Sequence, residues 1–140
     1  MLRPVATRPL LVLVAACALA GCGDSGPTDE QRIRTTLSDF QRATAARDYR
    51  ALCDRILAPK LIETVKQIGL PCEAALEKGI GNVEDPRLTV GAVEVHDDTA
   101  TAEVRSSAAG ESPSQDTVEL VRIGDGWRIA SLAGRGAATP

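Results

Sequence analysis

From Thr28 to Lys78 the apolar residues recur every three or four positions, and from Leu88 onward they recur every second. The first spacing predicts helices and the second predicts strands. Thr28-Asp29-Glu30-Gln31 opens the first helix, with Thr28 as N-cap, Gln31 at the capping-box position and two acids facing the helix dipole. Ile33, Leu37, Phe40 and Thr44 then share one face, leaving Arg34, Asp39 and Arg42 for solvent, and the helix is expected to run to about Ala46. Asp48 is the next N-cap, before a helix lined by Tyr49, Leu52, Cys53 and Ile56 that Pro59 ends. Pro59 also suits the first turn of a third helix, whose stripe Leu61, Ile62, Val65 and Ile68 is expected to be buried and which Gly69 stops. After Leu70-Pro71 a short helical piece, Cys72 to Lys78, is capped by Gly79.

Gly79 to Pro86 reads as loop. In the first strand Leu88 and Val90 have one parity and Val93 and Val95 the other, which places a β-bulge near Gly91-Ala92. His96-Asp97-Asp98-Thr99 is a hairpin turn, and Ala100, Ala102 and Val104 alternate with Thr101, Glu103 and Arg105 in a strand buried on one face. Ser107 to Gln115 is a polar loop. Thr117 to Ile123 and Trp127 to Leu132 form the last hairpin around Gly124-Asp125-Gly126. Helices followed by an antiparallel sheet predict an α+β domain: three to four N-terminal helices packed on a bent four-stranded sheet.

The first 21 residues follow a different rule. A basic lead with Arg3 and Arg8 precedes the apolar run Leu10 to Ala20, the layout of a secretory signal. Eleven helical residues rise only about 16 Å, against a hydrocarbon core of roughly 30 Å. The run ends in Leu19-Ala20-Gly21-Cys22, which resembles the lipobox of bacterial lipoproteins, and the resemblance implies removal of residues 1–21 and lipidation of Cys22. Val14-Ala15-Ala16-Cys17 also fits the motif, but it would shorten the apolar run and leave an apolar stub on the mature chain. Residues 22–27 then form a lipidated, flexible tether, residues 28–132 the domain, and residues 133–140 a tail expected to be disordered. The expected location is the extracytoplasmic side of a cell membrane, held by acyl chains.

Composition narrows the partners. The chain of 140 residues carries a formal charge of −3, which becomes −5 once Arg3 and Arg8 are removed. An acidic extracytoplasmic domain is not a nucleic-acid binder. Beyond the anchor the mature chain has only Cys53 and Cys72, and outside the cytoplasm two such thiols are expected to pair. Their spacing is not the Cys-x-x-Cys layout of redox catalysts.

The long first helix, the Asp48-Tyr49 helix entry and the bent strands closing on Asp125-Gly126-Trp127-Arg128-Ile129 are similar to the nuclear transport factor 2-like, or SnoaL-like, superfamily with its cystatin-like cone. Cys53, Leu57-Ala58-Pro59 and Pro71-Cys72 further resemble small actinobacterial lipoproteins of that fold, in keeping with thirteen arginines to three lysines. The resemblance implies a cone whose interior, where there is activity, holds a carboxylate and a tyrosine for proton transfer. Tyr49 is the only tyrosine, and Glu94, Glu103 and Glu119 alternate with the apolar face or border it, so no catalytic residue is expected. Phe40, Tyr49 and Trp127 are the candidate lining of the cone. Filled by these rings and the valines, it suits a non-catalytic domain that meets an envelope protein. Left open with a convergent polar group, it suits a carrier of a small apolar ligand or a SnoaL-like enzyme. His96 beside Asp97 and Asp98 is ordinary turn chemistry rather than a metal site, and no cofactor motif is present.

The lipobox reading has a direct check. Cys22→Ser should move the protein from the membrane to the soluble fraction on fractionation of host cells; unchanged membrane retention would refute it.

Overall fold

The computed structural model describes Gly23 and residues 26–133; residues 1–22, where the signal and the lipidated cysteine are expected, and the residues beyond Ala133 lie outside them. Helix α1 (Asp29–Ala46) starts at the expected capping box, with the Thr28 hydroxyl and the Gln31 side chain each accepting the other's backbone N–H. It ends at Arg47, which turns left-handed with φ 54°. Ile33 and Leu37 are fully buried beneath it. Arg34, expected in solvent, instead donates to the Val90 and Gly91 carbonyls at 3.0 and 2.8 Å. Those carbonyls flank the bulge, where the ladder exposes acceptors that a long cation on the facing helix can reach.

The second helix is not regular. Asp48 caps it as expected, but after one turn, α2 (Tyr49–Ala51), the chain widens into a π-helix (Leu52–Ile56) in which Leu57 N–H returns to the Leu52 carbonyl. Leu57 then bridges to Ile129, and Ala58 N–H donates to the Ile129 carbonyl at 2.7 Å. The wider turn thus ends where the chain is tied to the sheet.

Helix α3 (Pro59–Lys66) has proline in its first turn, as expected, but its stripe is not buried. Leu61, Ile62 and Val65 are half-buried and Ile68, past the helix end, is 72% exposed. The helix packs beside the last helix and the last strand rather than under the sheet, so only part of its apolar face finds a partner. Helix α4 (Cys72–Ile80) runs two residues beyond the expected stop, taking Gly79 into the helix and leaving Gly81 as the cap.

Four antiparallel strands follow in the order β1 (Arg87–His96), β2 (Thr99–Ser107), β3 (Ser114–Ile123) and β4 (Gly126–Ala133). The expected bulge lies between Val90 and Val93, and a second lies opposite Glu119 and Leu120, where the β3–β4 register slips by a residue. The turns use Asp97 (φ 52°) and Gly124 (φ 59°). β3 begins three residues early because Ser106 pairs with Ser114 across the strands and their hydroxyls bond at 2.8 Å, shortening the expected loop. β4 likewise includes Ala133, which sequence patterning assigned to the tail.

Helix α1 contacts β1 and β4, the two edges of the sheet, so the bent sheet curls about it. Ala100, Ala102, Val104, Val118, Leu120 and Ile129 complete the core. This is the α+β cone. Because Leu37 is wholly buried and Ile68 is mostly exposed, Leu37→Ala should cost about 2–5 kcal/mol in urea unfolding and Ile68→Ala less than about 0.5 kcal/mol. Comparable losses would contradict this placement of the core.

Candidate functional site

The aromatic residues do not converge on one spot. Trp127, at the start of β4, is 3% exposed and belongs to the core, while Phe40 on α1 and Tyr49 on α2 are half-buried and pack on its edge. Aliphatic side chains occupy the centre; Ile33, Leu37, Leu52, Leu120 and Ile129 are the largest that are fully enclosed. Among the described residues the only buried polar side chain is Thr44, and its hydroxyl has no hydrogen-bond partner. Helical spacing shows Thr44 only as part of an apolar face; packing reveals its unmatched hydroxyl.

Carboxylates stay outside. Glu94, Glu103 and Glu119 are exposed, as their strand parity implies. His96 ends β1, its carbonyl accepting from the Thr99 hydroxyl, while neighbouring Asp98 turns to Arg122 at 3.2 Å. Among the described residues no three His, Cys, Asp or Glu side chains gather to hold a metal.

Cys53 on the π-helix and Cys72 at the start of α4 form a disulfide with Cα atoms 6.1 Å apart, bracketing α3. Closing a loop of 19 residues contributes about 3 kcal/mol in the chain-entropy model. A cleft of about 520 Å³ lies beside it, lined by Ile62, Lys66, Pro71 and Glu73 among others. A second cleft, of about 330 Å³, separates α1 from the π-helix. Ala43, Ala46, Ala51 and Ile56 contribute its apolar wall, and Asp39, Arg42, Asp48 and Arg55 its charges. On a regular helix Ala51 and Ile56, five residues apart, would face different ways; the wider π-turn lets both line the cleft.

The most elaborate polar cluster joins α1 to the sheet. Arg122 of β3 donates to both carboxylate oxygens of Asp29, at 2.9 and 2.7 Å, and the Trp127 indole N–H donates to one of them at 3.1 Å. The Arg122 guanidinium also lies over the Trp127 ring, 4.6 Å from its centre. Bonds from Arg122 first, then from the indole, hold the Asp29 carboxyl down to about 2, and the bond to Asp29 raises Arg122 above its ordinary value. In the sequence Asp29 is recognisable only as a favourable first-turn acid, and Trp127 only as candidate lining of the cone. Arg122 carried no signal, because a lone arginine at a strand end looks like a solvated one.

The sequence matches no protein-family model and no curated protein. Among solved structures, an NTF-2-like protein of unknown function from Silicibacter pomeroyi superposes with a TM-score of 0.52 at 22% identity, over 71% of this chain and 88% of that one. A de novo designed NTF2-fold protein gives 0.49 at 16% identity, over 76% and 87%. The first likeness is one of fold: the domain has the nuclear transport factor 2-like architecture.

Two outcomes follow from these polar groups. Since the native Asp29 carboxyl lies below its ordinary 3.8, the ion pair stabilises the fold above that pH and the contribution is lost as pH falls towards about 2. Urea midpoints measured across that window should fall less steeply for Asp29→Asn than for the wild type. Thr44→Val should raise stability by about 1 kcal/mol, because it removes an unmatched buried hydroxyl; a loss would show that the hydroxyl is hydrogen-bonded in solution.

Proposed function

We propose that the chain is a lipid-anchored extracytoplasmic protein whose cone-shaped domain binds a partner at the cell envelope without catalysis. The anchor rests on Leu19-Ala20-Gly21-Cys22, and the Cys53–Cys72 bond accords with an oxidising compartment.

The observation that carries the non-catalytic reading is the chemistry of the interior. Proton transfer inside such a cone needs an acid whose pKa burial has raised, facing a donor for the developing oxyanion. Here the centre is aliphatic, and Asp29 is shifted downward, the reverse of what a general acid requires. Contacts with a partner then fall to the outside, where the cleft between α1 and the π-helix pairs small apolar side chains with charges of both signs. A partner protein fits such a mixed surface.

A second reading, a carrier or SnoaL-like enzyme, draws on Thr44, since an unmatched hydroxyl in an apolar interior could orient a small ligand. Native mass spectrometry of the lipoprotein, gently extracted from its host membrane, separates the two. A bare lipidated mass, or one accompanied by a second polypeptide, is the expected result. An additional few hundred daltons surviving mild activation, and not accounted for by acyl chains, would overturn it and make Thr44 and Tyr49 the first residues to substitute.

A further inference from the structure

The chain enters the domain at one end of a long axis. Helix α1, with 18 residues, is about 27 Å long. Its first turn is fastened to both hairpin turns. Asp29 holds Arg122, whose Nε reaches Asp98 between β1 and β2 at 3.2 Å, and Arg32 donates to the Asp125 carbonyl between β3 and β4 at 2.5 Å. Arg32 also donates to the Pro27 carbonyl at 3.2 Å, so the entering chain joins the same knot. At the far end of α1, Gln41 accepts from Leu88 N–H and Arg47 donates to the Gly81 carbonyl. There the segment 81–86 meets the segment 108–113 through a bond from Ala109 N–H to the Glu84 carbonyl at 2.8 Å.

We infer that the domain has a fixed polarity on a lipid surface: the end bearing the Asp97-Asp98 and Gly124-Asp125 turns faces the bilayer, and segments 81–86 and 108–113 face away. This rests on the lipid-anchor reading given above. From Cys22 to Pro27 the chain advances five residues, at most about 17 Å. Turning the domain over would lift Pro27 about 27 Å or more from the surface, beyond that reach. It can lean, but it cannot invert.

The Asp29–Arg122–Trp127 clamp maintains the limit. Should the first turn of α1 unwind through Gln31, four more residues would join the tether and lengthen it by about 14 Å. The reach would then exceed the length of α1, and inversion would become possible. The clamp is therefore a positioning device for the tether, and the outward end is where an envelope partner has access.

The test uses the full-length protein as its host processes it, mixed with phosphatidylethanolamine–phosphatidylglycerol vesicles carrying a headgroup energy-transfer acceptor. A donor dye is placed on Asp125→Cys or on Glu111→Cys, with the disulfide intact. Transfer from position 125 should exceed that from position 111 by severalfold, and the difference should shrink in Arg122→Gln, with Arg122→Lys as the milder variant if the first does not fold. Equal or reversed transfer from the two positions would overturn the polarity. An undiminished difference in both Arg122 variants would overturn the role of the clamp. Protein that stays in solution away from vesicles, with no transfer from either position, would overturn the anchor reading and the polarity with it.

Discussion

One helix lying against both edges of a four-stranded sheet is the contact from which the rest of this molecule follows. A sheet touched by α1 at β1 and again at β4 must curl about the helix, and the two register slips, one in β1 and one between β3 and β4, supply the bend. Ile33 and Leu37 then share one core cluster with Ala100, Ala102 and Val104, small and medium side chains, and the interior closes on aliphatic atoms. Burial on that scale is the main stabilising term in so small a domain, and the Cys53–Cys72 bond adds to it from the helical side.

Closing the interior in this way moves the chemistry outward. Ionisable groups lie on the convex face, in the turns, along the cleft beside the π-helix and in the knot at the start of α1. The knot joins elements more than ninety residues apart in the chain through one bidentate ion pair. A guanidinium suits that task because its planar fork meets both carboxylate oxygens while its face rests on an indole. The fold itself is host to unrelated functions, so what the domain binds depends on these side chains and not on the architecture.

Where expectation and structure part, the cause is a contact made at long range. The stripe of α3 has the spacing of a buried helix, but its neighbours are α4 and β4, while α1 lies against β1 and β4. The second helix has an α-helical pattern from Tyr49 to Ile56, yet it widens where Leu57 is drawn to Ile129. Gly79 reads as a helix stop, and the helix passes through it because nothing at that position requires a positive φ.

The sequence by itself determined what depends on neighbours in the chain: the capping box at Thr28, the Asp48 cap, the shift from helical to strand periodicity, the bulge near Gly91, the turns at Asp97 and Gly124, and the α+β class. It also singled out Cys53 and Cys72 as the two cysteines expected to pair, and they do. Only the tertiary structure decided which apolar stripes are covered, that Thr44 is enclosed without a partner, and that Asp29, Arg122 and Trp127 meet. Local preferences act over one or two turns of backbone, whereas burial and ion pairing depend on which surfaces are left for each element once the others have packed.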